Sequence, residues 1–210
     1  ITPQQIISQG GYPLDSLYGK NYQGGWIFHY NISMNKGLIA SYATTPTFDQ
    51  TSFPNWYCRA GGEGMYLGTS EAVYTGQGNT SIWNSLVSGG DWPSNGWQFG
   101  TSSNYYYKYT SKVLAHNQHL TTSGIQGGNY SDWYVPSIDE IFAMYTNLIL
   151  PGYVAAPTWS FISSSENPLN TDLVQVMTLT GSLAGQYGYT VWKNNINPGY
   201  VYELWPIRTF

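Results

Sequence analysis

The sequence predicts an α+β domain, and three observations carry that expectation. A strand pair folds around a polar turn near residue 30, apolar residues recur at helical spacing between about 79 and 145, and short strands follow Pro151. Helical patterns followed by an antiparallel meander point to helices packed beside a sheet. At 210 residues the chain is long enough to bury a substantial core, and one main domain over 23–210 is expected.

Residues 1–22 are polar and rich in Gly and Tyr, with a turn-like Gly-Gly-Tyr-Pro at 10–13, and are expected to be an irregular lead-in or a connection to a preceding module. Trp26-Ile27-Phe28-His29-Tyr30 and Gly37-Leu38-Ile39-Ala40-Ser41-Tyr42 then read as a hairpin. From 43 to 79, Gly, Pro, Thr and Trp without periodicity predict long loops, with short strands at most near Trp56-Tyr57-Cys58 and Met65-Tyr66-Leu67. Ile82, Trp83, Leu86 and Val87 after Asn79-Thr80 predict a short helix ended by Gly89-Gly90. A second helix is expected from about Tyr105 to Leu120, where Tyr106, Tyr109, Val113 and Leu114 share one face. The third has the clearest start: Ser137 can cap it and Glu140 can reach back, with Ile138, Ile141, Phe142 and Tyr145 as the buried stripe. Thr158 to Ile162, Val174 to Leu179, Tyr187 to Trp192 and a last strand from Tyr200 to Arg208 complete the meander.

Only 9% of residues are charged, against about 25% in an average globular chain, while aromatics reach 17% with 20 Tyr and 9 Trp. Solubility must therefore rest on Ser, Thr, Asn, Gln, Gly and tyrosine hydroxyls, a mixture that resembles binding faces built from rigid rings and small polar groups. The 7 Lys and Arg are scattered singly in a chain of net charge -4, which argues against nucleic acid. No apolar run approaches the roughly 18 residues of a membrane span, so no membrane insertion is expected. The chain begins at Ile1 without a signal-peptide pattern, and is read as a processed chain or a piece of a longer one. A single cysteine, Cys58, excludes an internal disulfide framework and is read as a small buried hydrophobe.

Three stretches together resemble a known family. They are Gly24-Gly25-Trp26-Ile27-Phe28 with Gly37-Leu38-Ile39-Ala40; Gly128-Asn129-Tyr130-Ser131-Asp132-Trp133-Tyr134-Val135-Pro136-Ser137 with Glu140; and Trp159 to Glu166 with Trp205-Pro206-Ile207-Arg208. In order and spacing, over roughly 20–210, these resemble the C-terminal domain family of the Legionella collagen-like adhesin. The resemblance implies a C-type-lectin-like fold with two or three short helices, antiparallel strands and long loops. It also implies attachment, on a bacterial surface appendage or a phage tail fibre. The sequence departs from the family pattern at Thr158-Trp159-Ser160-Phe161-Ile162-Ser163-Ser164-Ser165-Glu166, and at Leu204-Trp205 where the family carries a Val-Arg pair. Loss of that arginine weakens any carry-over of binding to sulfated glycans.

The chemistry in the chain favours binding over catalysis. His116-x-x-His119 offers two imidazoles one turn apart, but a metal needs further ligands and no Asp or Glu adjoins them, so no metal or cofactor is expected. His29 sits in an apolar strand and reads as a core or edge histidine, and Cys58 with a histidine defines no nucleophile pair by sequence alone. Glu166-Asn167-Pro168 resembles the calcium tripeptide of sugar-binding C-type lectins, but the partner Trp-Asn-Asp element is missing. Asp132, Glu166 and Asp172 are the acids that a glycan hydrolase could use, which is the alternative enzyme reading. Asp132 is instead expected to tie a loop through backbone N–H groups, and Glu140 to close the helix cap.

The preferred ligand face is late in the chain: Tyr187, Tyr189, Trp192, Lys193, Asn194, Asn195 and Tyr200, around a turn at Asn197-Pro198-Gly199. Ring stacking beside amide and ammonium donors suits a cell-surface glycan or protein receptor. The expected function is a non-catalytic, extracellular receptor-binding or adhesin domain, assembled as a homotrimer. A structural module with these rings sealed between subunits is the third reading.

Overall fold

Thr2-Pro3-Gln4-Gln5 carries the start signal of a helix, and the computed structural model shows one, α1 (Pro3–Gly10). Residues 2–10, 12–42, 58–59, 66–88, 107–108, 130–156, 160–179, 184–186, 189–192, 202–203 and 205–210 are described. Gln5 N donates to Thr2 Oγ1 at 3.2 Å and Thr2 N donates to Gln5 Oε1 at 2.8 Å, a reciprocal cap with proline at the first helical position. Ile6 and Ile7, followed by Leu14 and Leu17 on a 3₁₀ turn (Leu14–Leu17), pack against Ile27, Tyr30, Ile39 and Trp133. The expected irregular lead-in is thus largely helical and docked. Its apolar residues are too few to display a period, and only the cap betrays the helix.

The hairpin forms as expected, from β2 (Gly25–Asn31) and β3 (Lys36–Ser41), within a sheet ordered β1-β2-β3-β10 that includes β1 (Asn21–Tyr22) and β10 (Ile207–Thr209). Both faces of this sheet are covered. Leu38 and Ala40 join the main core with Phe28, while Ile39, between them, joins the cluster under α1. Alternation along the strand sends the consecutive Ile27 and Phe28 into opposite clusters, and a register shift between Ile27 and His29 returns Tyr30 to the side of Ile27. Two-sided burial explains why these strands read as continuous apolar runs.

The second sheet has the order β8-β7-β6-β9, with β6 (Ser160–Asn167), β7 (Asn170–Thr178), β8 (Tyr189–Trp192) and β9 (Tyr202–Glu203). β6, β7 and β8 make the expected antiparallel meander, but β9 runs parallel to β6 on the far edge. The expected last strand from Tyr200 to Arg208 is therefore two strands in two sheets. Pro206 has no N–H for a ladder, and its carbonyl instead accepts from Ser41 N at 3.0 Å. Trp205 is buried and donates from Nε1 to Ser41 O at 2.9 Å, fixing the crossing.

Two further helices complete the described fold. α2 (Gly76–Ser88) begins before the expected Asn79-Thr80, and α3 (Ile138–Met144) begins at the expected Ser137 cap. A π-helical turn (Tyr145–Ile149) continues α3, with Leu150 N donating to Tyr145 O at 2.9 Å. The buried face is Ile138, Ile141, Met144 and Leu148, whereas Phe142 is exposed. At about 100° per residue, Phe142 falls well round the helix from the mean direction of the others. Of the helix expected from about Tyr105 to Leu120, only Tyr107–Lys108 is described. It is a strand, β5, parallel to β4 (Cys58–Arg59), so those two residues correct that expectation and the rest lies outside the described residues.

Candidate functional site

The late ligand face begins on β8, the outermost strand of its sheet among the described residues, whose register sets Tyr189 opposite Val176 and Trp192 opposite Leu173. Tyr187, Lys193, Asn194, Asn195 and Tyr200 lie outside the described residues, as do His116 and His119. What the structure does describe is the scaffold beside that edge.

β6 breaks register with β7 between Ile162 and Glu166, and the intervening Ser163-Ser164-Ser165 is buried. Three hydroxyls away from water need partners, and each has one. Ser163 Oγ donates to Gln175 O at 2.8 Å, Ser164 Oγ to Pro136 O at 3.0 Å and Ser165 Oγ to Ser70 O at 2.9 Å. Trp83 on α2 donates from Nε1 to Ser164 O at 3.0 Å, and Asn79 Nδ2 reaches Ser70 O at 2.6 Å. Glu166 is 2% exposed, its Oε2 accepting from Leu67 N at 2.8 Å. Gln175 donates from Nε2 to Glu166 O at 3.0 Å and to Glu71 Oε1. The segment 66–79 is thereby stitched to β6 and β7 through polar side chains. Sequence reading ends this strand at Ile162, before the serine run, and gives the run no hydrogen-bonding role, whereas β6 continues through it to Asn167.

Glu140 holds the other end of the same segment. Its Oε2 accepts from Ser137 N at 2.6 Å, completing the expected capping box, and its Oε1 accepts from Tyr74 N at 2.9 Å. A Cβ at Gly76 would collide with that carboxylate and with Val135 O, so glycine alone lets α2 begin here. Burial pushes the Glu140 carboxyl from 4.5 up to about 7, although N–H groups of Ser137, Tyr74 and Gly76 pull it down.

The folded chain therefore keeps a proton between pH 4.5 and about 7 that the unfolded chain has released. This contribution is full below pH 4.5 and is lost as pH rises through about 7. His29 has the opposite sign, because burial lowers its pKa from 6.5 and charging it on acidification costs stability. We expect the stability gap between His29→Asn and the His29→Asn/Glu140→Gln double variant to narrow by up to about 3 kcal/mol as pH rises across the Glu140 window. Denaturant titration at a series of pH values measures it, and a constant gap would refute the assignment.

Among the described residues, Asp132 accepts from no backbone N–H group, and so does not tie a loop in the expected way. Its carboxylate pairs with Arg208 Nε, and the guanidinium lies 3.9 Å over the Tyr130 ring. Arg208 Nη1 also donates to Gln23 Oε1 at 2.8 Å, so one cation ties β10 to the 130–134 segment and to the β1–β2 turn. His29 is half-buried and edge-on to Tyr74 at 5.4 Å, matching its reading as a core or edge histidine. Cys58 and Asp172 are placed on β4 and β7. Among the described residues, no three His, Cys, Asp or Glu side chains gather, and no helix is long and apolar enough to cross a membrane. The chain matches no protein-family model, no curated protein and no solved structure with which it was compared.

Proposed function

We propose that this chain is a non-catalytic receptor-binding or adhesin domain of C-type-lectin-like build, related to the Legionella collagen-like adhesin C-terminal domains. It works outside the cell as a homotrimer, at a phage tail fibre tip or on a bacterial appendage, and docks on a cell-surface glycan or protein. The observation that carries this reading is the position of β8: among the described residues, a strand bearing Tyr189 and Trp192 forms the edge of a sheet whose inner strands are fixed by buried hydrogen bonds. A rigid support beneath an aromatic edge is what recognition by ring stacking requires. Short helices and antiparallel strands support the lectin-like build. The described acids favour binding over hydrolysis, since Glu166 accepts a loop N–H and Asp132 pairs with Arg208.

The test is adsorption. The folded, assembled chain should bind host cells and compete with the parent particle, and Trp192→Ala should weaken binding by about tenfold, on the order of 1.4 kcal/mol, without shifting the melting temperature. A folded assembly that neither binds cells nor blocks adsorption would remove this role.

A further inference from the structure

The cluster around Arg208 does more than tie segments together. The Arg208 side chain is 11% exposed and that of Asp132 50%, so a nearly buried cation fixes a carboxylate that still faces solvent. Each member is held by another. The guanidinium rests on Tyr130, Nη1 donates to Gln23 Oε1, and Gln23 Nε2 donates to Tyr22 Oη at 3.3 Å. Gln23 has φ of 43°, a conformation few side-chain-bearing residues adopt, and its amide is held at both ends, Oε1 by Arg208 and Nε2 by Tyr22. Tyr22 in turn meets the Phe210 ring edge-on at 4.8 Å.

Pairing within the cluster leaves two groups over. Among the described residues, Arg208 Nη2 and Asp132 Oδ2 have no hydrogen-bond partner. One is a donor and the other an acceptor, each carried on the same planar group as an atom of the Nε–Oδ1 contact, so that contact limits the entropy cost of ordering them on binding. Their charges select the ligand. An anion attracted by Arg208 is repelled by Asp132, a cation meets the reverse, and a neutral group able to donate and accept at neighbouring atoms satisfies both. Adjacent hydroxyls on a sugar ring are such a group: one donates to Oδ2 and its neighbour accepts from Nη2.

We propose that Asp132, Arg208 and Gln23 form a binding site for a neutral sugar, which they grip through a pair of vicinal hydroxyls. The site is separate from the β8 edge and deepens the receptor-binding reading, on which its biological role rests. It gives that receptor a chemical class, a glycan with an uncharged residue carrying a free diol.

The experiment is an NMR titration of the isotope-labelled full chain with the methyl glycosides of glucose, galactose and mannose at millimolar concentrations. At least one glycoside should move the Arg208 Nε–H and Gln23 side-chain amide signals saturably, whereas 2-(hydroxymethyl)tetrahydropyran, which lacks a vicinal diol, should not. Asp132→Asn keeps an acceptor for Arg208 but turns the second oxygen into a donor, so affinity should fall at least tenfold in a variant whose amide spectrum shows that it is still folded. Gln23→Ala, which leaves the ion pair intact, should weaken binding as well, so the site is tested even where one variant fails to fold. Unmoved Arg208 and Gln23 signals, or an affinity indifferent to both variants, would overturn the site. Host-cell binding measured in parallel separates the two ideas. Cells held equally by wild type and both variants refute the site as the receptor contact and leave the adhesin reading standing. Sugar bound at Arg208 without any cell binding refutes the adhesin reading and leaves the site.

Discussion

Glu140→Gln is expected to lower the unfolding free energy by about 2–4 kcal/mol at mildly acid pH, read by urea denaturation. Both carboxyl oxygens accept backbone N–H groups, Oε1 from Tyr74 and Oε2 from Ser137, and the protonated group keeps an acceptor lone pair on each oxygen. An amide offers one oxygen, so either rotamer sets its NH₂ against a buried N–H. Leaving a buried donor unmet costs about 1–3 kcal/mol, and here the repulsion of facing donors adds to it. Relief from burying a charge acts the other way and grows as pH rises, which is why the largest effect belongs on the acid side. Amide exchange at Tyr74 and Gly76 should quicken in the variant ahead of exchange in β2 and β3. A loss below 1 kcal/mol with unchanged exchange would show that the carboxylate is not what holds this segment.

Trp205→Ala is expected to cost about 3–5 kcal/mol, read by thermal and denaturant unfolding. The indole is 2% exposed and tilted against Phe161 at 5.6 Å, so truncation leaves a cavity between the two sheets. It also strands Ser41 O, which accepts the indole N–H at 2.9 Å. Trp205→Phe restores most of the volume and not the donor, and should recover more than half of the loss. If both variants unfolded like wild type, the crossing between β9 and β10 would have to be held by something other than this ring.

How much could be read beforehand varies by element, for physical reasons. The α3 start was legible because a capping box is local: Ser137 and Glu140 are three residues apart, and their chemistry needs no distant partner. The α1 cap is equally local at Thr2 and Gln5, but without a periodic apolar face behind it the segment reads as irregular. Phe142 was misplaced because an apolar residue near the stripe need not lie on it. The division of the last strand was hidden, since Pro206 reads as a strand edge in either case and only Ser41, from far earlier in the chain, shows where the crossing lies. Of the candidate ligand face, Tyr189 and Trp192 gained a register on β8, which periodicity could not supply.

By itself, the sequence determined the α+β class, the β2–β3 hairpin, the β6–β7–β8 meander and the α3 cap, because each depends on residues near one another in the chain. Tertiary structure alone decided which sheet received β9 and which β10, that Glu140 would secure Tyr74 as well as its own helix, and that Asp132 would meet Arg208. These are contacts across long stretches of chain, chosen by which buried donors and acceptors satisfy one another. Local pattern carries no record of that choice.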